Sequence, residues 1–598
     1  MKIFNCDSYD VVSFEEYKLF SDIGGANFPS AESEKGKHLI ERADEALETP
    51  IPVYFASDYR KFNITGNRTG YESLFHLRRK MLKKLIAGEV VQNENRYTDK
   101  IIDIVWAIHE ETSWVIPAHN LIKRNESNGE KASLPVSYDG KLPFLDLFSA
   151  ETAASLAFAH YFLKNKFDDT VSDIVNSRIK HEIKERVTRP FLEIDDMWWM
   201  GKNGRKPNNW NPWIISSVLT AVSLTEENNE TRGDVLKKAL VCLDRFVDGY
   251  KPDGGCDEGP SYFIAAGACL FDCLELIYDL TGGKADYFDN PLVYNIFDYI
   301  RKVHIHENYF TTFADGPSRC YTGGLTFGMR MAERTGNEAL YNFASSLTGD
   351  IPDIEGTHMI YRNYKDICYK RKEAGSFVSG RFDLLPDLQV AVIRKEKVTA
   401  GAKGGHNKES HNHNDVGNVI VFANNKPILI DIGAPTYTKD TFSDKRYTVF
   451  PINSTWHNLP IINGYGEKEG PQFKADFFEA DENLIRVGYA GAYEKGAGVL
   501  NAVREIEVSE DSVTISEKAE YDGEAVFNYY MCKKPQREGN VFTFDDGAKI
   551  VLPENLEVCL EDIPVTDPSV IKSWGTEVLY RISVKCGKNA EFKLKIEA

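Results

Sequence analysis

PDLQVAVIRKEK, residues 386–397, is where the pattern of this chain changes. From Asp387 onward apolar and polar residues alternate with period two, the mark of half-buried strands. NVIVFANNKPILID (418–431) continues as two strands around a turn at Asn424-Asn425, a pair that accepts the left-handed backbone of a tight hairpin. REIEVSEDSVTIS (504–516) and the terminal EFKLKI, with Phe592, Leu594 and Ile596 on one face, extend the same reading. Before Pro386 the period is helical. In ESLFHLRRKMLKKLIAG (72–88), Leu74, Leu77, Met81, Leu82 and Leu85 recur at three- and four-residue steps, and Val235, Leu236, Leu240, Leu243 and Val247 repeat this within 234–250. LFSAETAASLAFAHYFL (147–163) and YFIAAGACLFDCLELIYDL (262–280) are two further runs. Helices followed by strands imply separate domains rather than a βαβ fold. We expect a helical domain over 1–380, with an N-terminal extension, and an antiparallel β domain over 381–598.

The bulk numbers agree. A chain of 598 residues is too long for one core, and 42% hydrophobic with 27% charged residues describes a globular protein rather than a disordered one. A net charge of −19 argues against a nucleic-acid partner. It also disfavours a long polyanion, although a local basic groove can hold a short one. No run of about 18 apolar residues suggests a membrane span. The opening MKIFNCDSYDVV has no basic segment leading into an apolar run, and the ten cysteines include no CxxC pair. Cytoplasmic location and free thiols are therefore expected.

The chemistry is concentrated in a few segments. GGHNKESHNHNDVGNVIVFANNKPILIDIGAPTYT (404–438) places His411 and His413 two apart, on one side of an extended segment together with Asp415. Asp431 ends the next apolar strand, and His457 follows in STWHNLPIING (454–464). Histidine and aspartate suit zinc, but an HxH pair alone is equally a polar loop at a sheet edge. MWWMGKNGRKPNNWNPWI (197–214) holds Trp198, Trp199, Trp210 and Trp213 beside Asn208, Asn209 and Asn211. Several of these indoles are expected to fill the core; the others could stack on a sugar while an amide meets its carboxylate. KPDGGCDEGPSYFIAAG (251–267) starts a helix at Tyr262 after a Gly- and Pro-rich turn, and WAIHEETSWVIPAHN (106–120) brings Trp114 near His119.

Together these pieces resemble the heparinase II/III superfamily of polysaccharide lyases. The resemblance rests on NNWN (208–211), DEGPSY (257–262), HNHND (411–415), LIDIG (429–433) and WHNLPIING (456–464), with TSWVIPAHN (112–120) and LDLFSAETA (145–153) in support, and it spans about 70–470. It implies an incomplete (α/α) toroid followed by an antiparallel β-sandwich. It also implies β-elimination on uronic-acid glycans, with an acidic oligosaccharide or polysaccharide as partner, and it permits a homo-oligomer. Asn209 resembles the amide that neutralises the uronate carboxylate, Tyr262 the catalytic tyrosine, and His411 the histidine that completes the site from the β domain. His413, Asp431 and His457 resemble the ligands of one zinc ion, mainly structural. Trp114, His119, Trp210 and Asn211 are the substrate-binding candidates. Some members carry a histidine directly after the neutralising asparagine; here Trp210 stands in that place, so either a second base is missing or Asn211 or His119 compensates. The site is expected to draw Asn209 and Tyr262 from the helical domain.

These residue types suit the reaction. Removing the C5 proton of a uronate builds charge on its carboxylate, so preplaced donors there are a large catalytic term. A phenol of ordinary pKa about 10 needs help to act as a base. A glycoside hydrolase using Asp146, Asp257 and Glu258 is the alternative, and it leaves no C4–C5 double bond. A non-catalytic sugar-binding protein is a third reading; it would be indifferent to His411→Ala. The weak signals of charge and sequence opening favour short substrates attacked from a chain end.

Overall fold

A computed structural model of the chain describes every residue except 1–2, 5–8, 124, 127–128, 136–142, 172, 352–353, 355, 357 and 439. The chain divides into two units. One comprises 1–250, 265–293 and 323–375; the other comprises 251–264, 294–322 and 376–598.

The first unit is helical. Its inner helix, Trp210–Thr225, is buried from Ile214 to its end, so its polar side chains must be satisfied internally. Thr220, Ser223 and Thr225 each donate to a carbonyl four residues back, at 2.6–2.8 Å. Helices Leu147–Val171, Asn229–Val247 and Gly267–Leu280 pack around it. The first of these starts on Asp146, whose carboxylate accepts from the Ser149 N–H at 2.8 Å while the Ser149 hydroxyl accepts from the Asp146 N–H at 3.0 Å. This reciprocal cap fixes the start of the helix and the place of Asp146. Thr69–Gln92 departs from the expected face. Leu77 is exposed, while Arg78 and Arg79 are buried on the carboxylate of Glu111 at 2.8 and 2.6 Å. Paired charge thus occupies a position that periodicity alone assigns to leucine.

The second unit is antiparallel β. One five-stranded meander runs Phe382–Leu385, Val390–Arg394, Val398–Lys403, Val419–Ala423 and Lys426–Leu429. Its last hairpin turns at Asn424 and Asn425, both left-handed (φ 49° and 62°), as the sequence predicts. An eight-stranded sheet, which includes Val499–Val508, Ser512–Tyr521 and Ala590–Glu597, and a four-stranded sheet share one apolar core with the meander, the sandwich arrangement. Phe592, Leu594 and Ile596 lie in that core.

A buried arginine crosses this core with a purpose. Arg504 pairs with Glu517 at 2.5 Å and donates to the carbonyls of Gly417 and Asn458, both at 2.6 Å. A buried pair is weak evidence for stability, but one that fixes register is well attested. Here it joins the loop that follows His413 to the loop that carries His457.

Candidate functional site

Tyr262 folds with the β unit and not, as expected, with the helical one. The expected helix 262–280 is interrupted after Phe263 and resumes at Gly267, where the chain passes from one unit to the other. Gly259 has φ 90°, and a Cβ there would meet the Phe313 carbonyl, so only glycine fits. Pro260 then begins the short helix Pro260–Phe263. This stacks the Tyr262 ring on His411, centroids 3.9 Å apart at an interplanar angle of 29°, with its hydroxyl 2.7 Å from that of Tyr437.

His411 and His413 converge, but not by strand geometry. Residues 408–415 form no strand, and His411 is left-handed (φ 53°), a conformation that costs a non-glycine residue about 1–2 kcal/mol. Such strain persists where surrounding contacts over-determine it, and it clusters at functional sites. Here the contact is Asp315. His411 Nδ1 lies 2.8 Å from one carboxylate oxygen and His413 Nε2 2.9 Å from the other, while Arg446 donates to the first at 3.0 Å. Burial alone would raise the Asp315 carboxyl; the bonds from both histidines, then the Arg446 charge, hold it well below the usual range. On its other side, His411 Nε2 is 3.4 Å from Glu258. Burial, then the negative charge of Asp315, pushes the Tyr262 phenol well above its ordinary value, and the same causes act on Tyr437. Asp415 does not share the histidines' side: it binds the Lys403 ammonium at 2.7 Å, which also holds Glu409 at 3.0 Å.

Asp315, Tyr437 and Arg446 carry no motif in the sequence; Asp315 and Tyr437 reach His411 across 96 and 26 positions, and Arg446 reaches Asp315 across 131. The nearest signal is glycine: a Cβ on Gly433 (φ 84°) would run into the Gly316 carbonyl, so LIDIG is written to let the Asp315 loop approach.

Behind His413 lies the second cluster. His413, Asp431 and His457 are fully buried and offer ligand atoms within 4.8 Å of one another. Among the described residues, His413 Nδ1 and His457 Nε2 have no hydrogen-bond partner, an expensive state for buried imidazoles. Two orphaned nitrogens beside a carboxylate fit a bound metal ion. Asp315 on the far nitrogen of His413 is the outer partner such a ligand needs, and Asn418 holds Asp431 at 2.6 Å. Burial, then the Asp315 contact in opposition, leaves His413 lowered; burial also lowers His457, but the Asp431 charge and hydrogen bond, with the Asp415 charge, together leave it raised.

The helical unit holds the remaining candidates, and two of them prove structural. Trp114 is 2% exposed and donates its indole N–H to the Ile108 carbonyl at 3.0 Å, so it is core rather than a sugar platform. Asn211 is fully buried, with its amide on the Trp199 carbonyl at 3.0 Å, so it cannot replace a second base. Asn209 is buried immediately before helix Trp210–Thr225. Trp210 is half-buried, its ring 4.5 Å from His119, whose Nδ1 lies 2.7 Å from Asp146. That engagement, with the Ser149 cap, also takes Asp146 out of any hydrolytic carboxylate pair.

The fold of this chain is shared by solved lyases. Heparinase III is similar over 99% of this chain and 86% of its own, with a TM-score of 0.64 and 12% identity. Heparan sulfate lyase HepC from Pedobacter heparinus gives 98%, 86%, 0.58 and 12%. Chondroitin AC lyase from Streptomyces coelicolor, in complex with chondroitin sulphate, gives 96%, 80%, 0.53 and 12%. The helical toroid followed by a β-sandwich, expected from the sequence, is therefore the fold of this chain. No protein-family model and no curated protein matches the sequence.

Proposed function

We propose that this protein is a lyase that cleaves uronic-acid glycans by β-elimination, leaving a C4–C5 unsaturated uronate. The observation that carries the reading is the stacked Tyr262–His411 pair, with a second phenol 2.7 Å from the first and a buried carboxylate beneath the imidazole. Asp315 orients His411, so that the ring can donate to the substrate carboxylate where charge develops. The resemblance also makes Asn209, in the helical unit, a proposed amide donor to a uronate carboxylate. Tyr262 and Tyr437 are protonated at rest, because burial and then Asp315 raise both. Tyr262 therefore gives its proton to the departing C4 oxygen as the phenol pair takes the proton from C5. The pair ends with the protons it began with.

The metal of the His413–Asp431–His457 cluster is proposed to be zinc, whose borderline character matches two imidazoles and a carboxylate. When bound, it would supply a fixed point beneath the loop that presents His411. Action on short substrates from a chain end, in a reducing compartment, is also proposed; the free thiols of Cys273, Cys320, Cys368 and Cys532 support the compartment.

The test is a panel of uronate oligosaccharides (glycosaminoglycan and alginate types) followed by ultraviolet absorbance. An absorbing product from at least one, lost in Tyr262→Phe, is expected. Reducing ends released without absorbance would instead establish hydrolysis.

A further inference from the structure

The helical unit carries a group of rings that the reaction above does not use. The His358 ring lies 4.9 Å from His76, 5.1 Å from Phe148 and 5.3 Å from Trp213. Phe148 stacks on His119 with an interplanar angle of 7°, and His119 packs on Trp210. Phe148 is buried; the other five are half-buried and keep some surface in solvent. His76 and His358 touch rings, but neither imidazole hydrogen-bonds a described residue.

The group is held in place from below. One oxygen of Glu151 accepts from the Trp213 indole N–H at 2.8 Å and from the Met359 N–H at 2.5 Å, tying the indole to the turn that carries His358. Rings fixed by such a supporting shell are preformed for a ligand.

The group is also uncharged. Burial, then the neighbouring His358, pushes His76 down to about 2; burial, then the Lys83 charge, pushes His358 down to about 4. A neutral imidazole offers one donor and one acceptor, which is the complement of a hydroxyl. Nearby cations are committed elsewhere, Arg68 to Glu72 at 2.8 Å and Lys83 to Asn363 at 2.6 Å.

We infer that Trp213, His76 and His358 form a preformed subsite for an uncharged pyranose, with the indole against its C–H face and the imidazoles on its hydroxyls. That this sugar belongs to the same glycan as the cleaved uronate rests on the proposed function; the binding itself does not. Glu151 is a positioning residue that acts through Trp213 and the Met359 turn.

The full-length protein is titrated with cellobiose and N,N′-diacetylchitobiose, and separately with glucuronic acid and glucose 6-sulfate, following tryptophan fluorescence and saturation-transfer signals. The uncharged disaccharides should bind and the charged sugars should not. His358→Phe keeps the ring and removes the hydrogen bonds, so it should weaken disaccharide binding about tenfold. His76→Gln is the second variant, should the first fail to fold. In the elimination assay, either should raise KM about tenfold with a much smaller change in kcat. Equal or tighter binding of the charged sugars, or unchanged binding and KM in both variants, overturns the inference. Cellobiose binding as described, with no unsaturated product from any uronate, would sustain the subsite and remove the proposed reaction instead.

Discussion

Replacing Asp315 by asparagine keeps its volume and removes its charge. Three donors converge on that carboxylate, from His411, His413 and Arg446, at 2.8–3.0 Å. An asparagine presents one oxygen and one NH2, so at least one donor must face another donor. Each charge-assisted bond is worth roughly 1.5–3 kcal/mol, but neighbouring losses do not add. The dominant cost is the Arg446 guanidinium, whose side chain is only 11% exposed and would lose its partner; breaking a buried pair from one side costs about 3–5 kcal/mol. We therefore expect Asp315→Asn to destabilise the β unit by about 3–5 kcal/mol, read as a lower urea midpoint with unchanged slope. Under conditions where it remains folded, its kcat should fall on the order of 10²-fold or more, because His411 loses the contact that holds its strained backbone and orients its ring. A variant with wild-type midpoint and wild-type kcat would refute the role given to Asp315.

Glu409 gives a pH signature: burial, against the Lys403 charge, pushes its carboxyl up to about 7, so the folded state holds that proton more tightly than the unfolded chain. Its contribution is full below the ordinary value of 4.5 and is lost as pH rises through about 7, up to roughly 3 kcal/mol; Glu409→Gln should flatten that decline in urea melts at stepped pH. Elemental analysis should find one zinc per chain, and His413→Ala should abolish its retention and lower the thermal midpoint; a metal-free protein of unchanged stability would contradict the site. Tyr437→Phe breaks the phenol pair and should lower kcat about 10²-fold with little effect on KM; full activity would leave Tyr262 to act alone.

The fold was legible because its signals are local. The change of period at Pro386 and the Asn424-Asn425 turn each reflect a few neighbouring residues, and the structure has the strands and the left-handed turn where they were read. The grouping of His413, Asp431 and His457, which could hold a metal, was legible through residue type in a resemblance. What could not be read were the partners. Asp315 meets His411 across 96 positions and Arg446 across 131, and no spacing rule reaches that far. Trp114 misled for a physical reason: an indole beside a histidine has the composition of a sugar platform, but its N–H was already satisfied by the Ile108 carbonyl in the core. Leu77 misled in the opposite sense: it is exposed while Arg78 and Arg79 are buried beside it, because their partner Glu111 lies more than 30 residues away.

The central claim is elimination at C4–C5 by the Tyr262–His411 centre. Mass spectrometry of the products of a defined uronate tetrasaccharide that the protein cleaves tests it most directly. The account predicts that the fragment from the non-reducing side of the cut keeps its ordinary mass, while the new uronate end is lighter by one water, and that Tyr262→Phe yields neither. Two fragments whose masses sum to substrate plus one water, or an unchanged pattern from Tyr262→Phe, would contradict it.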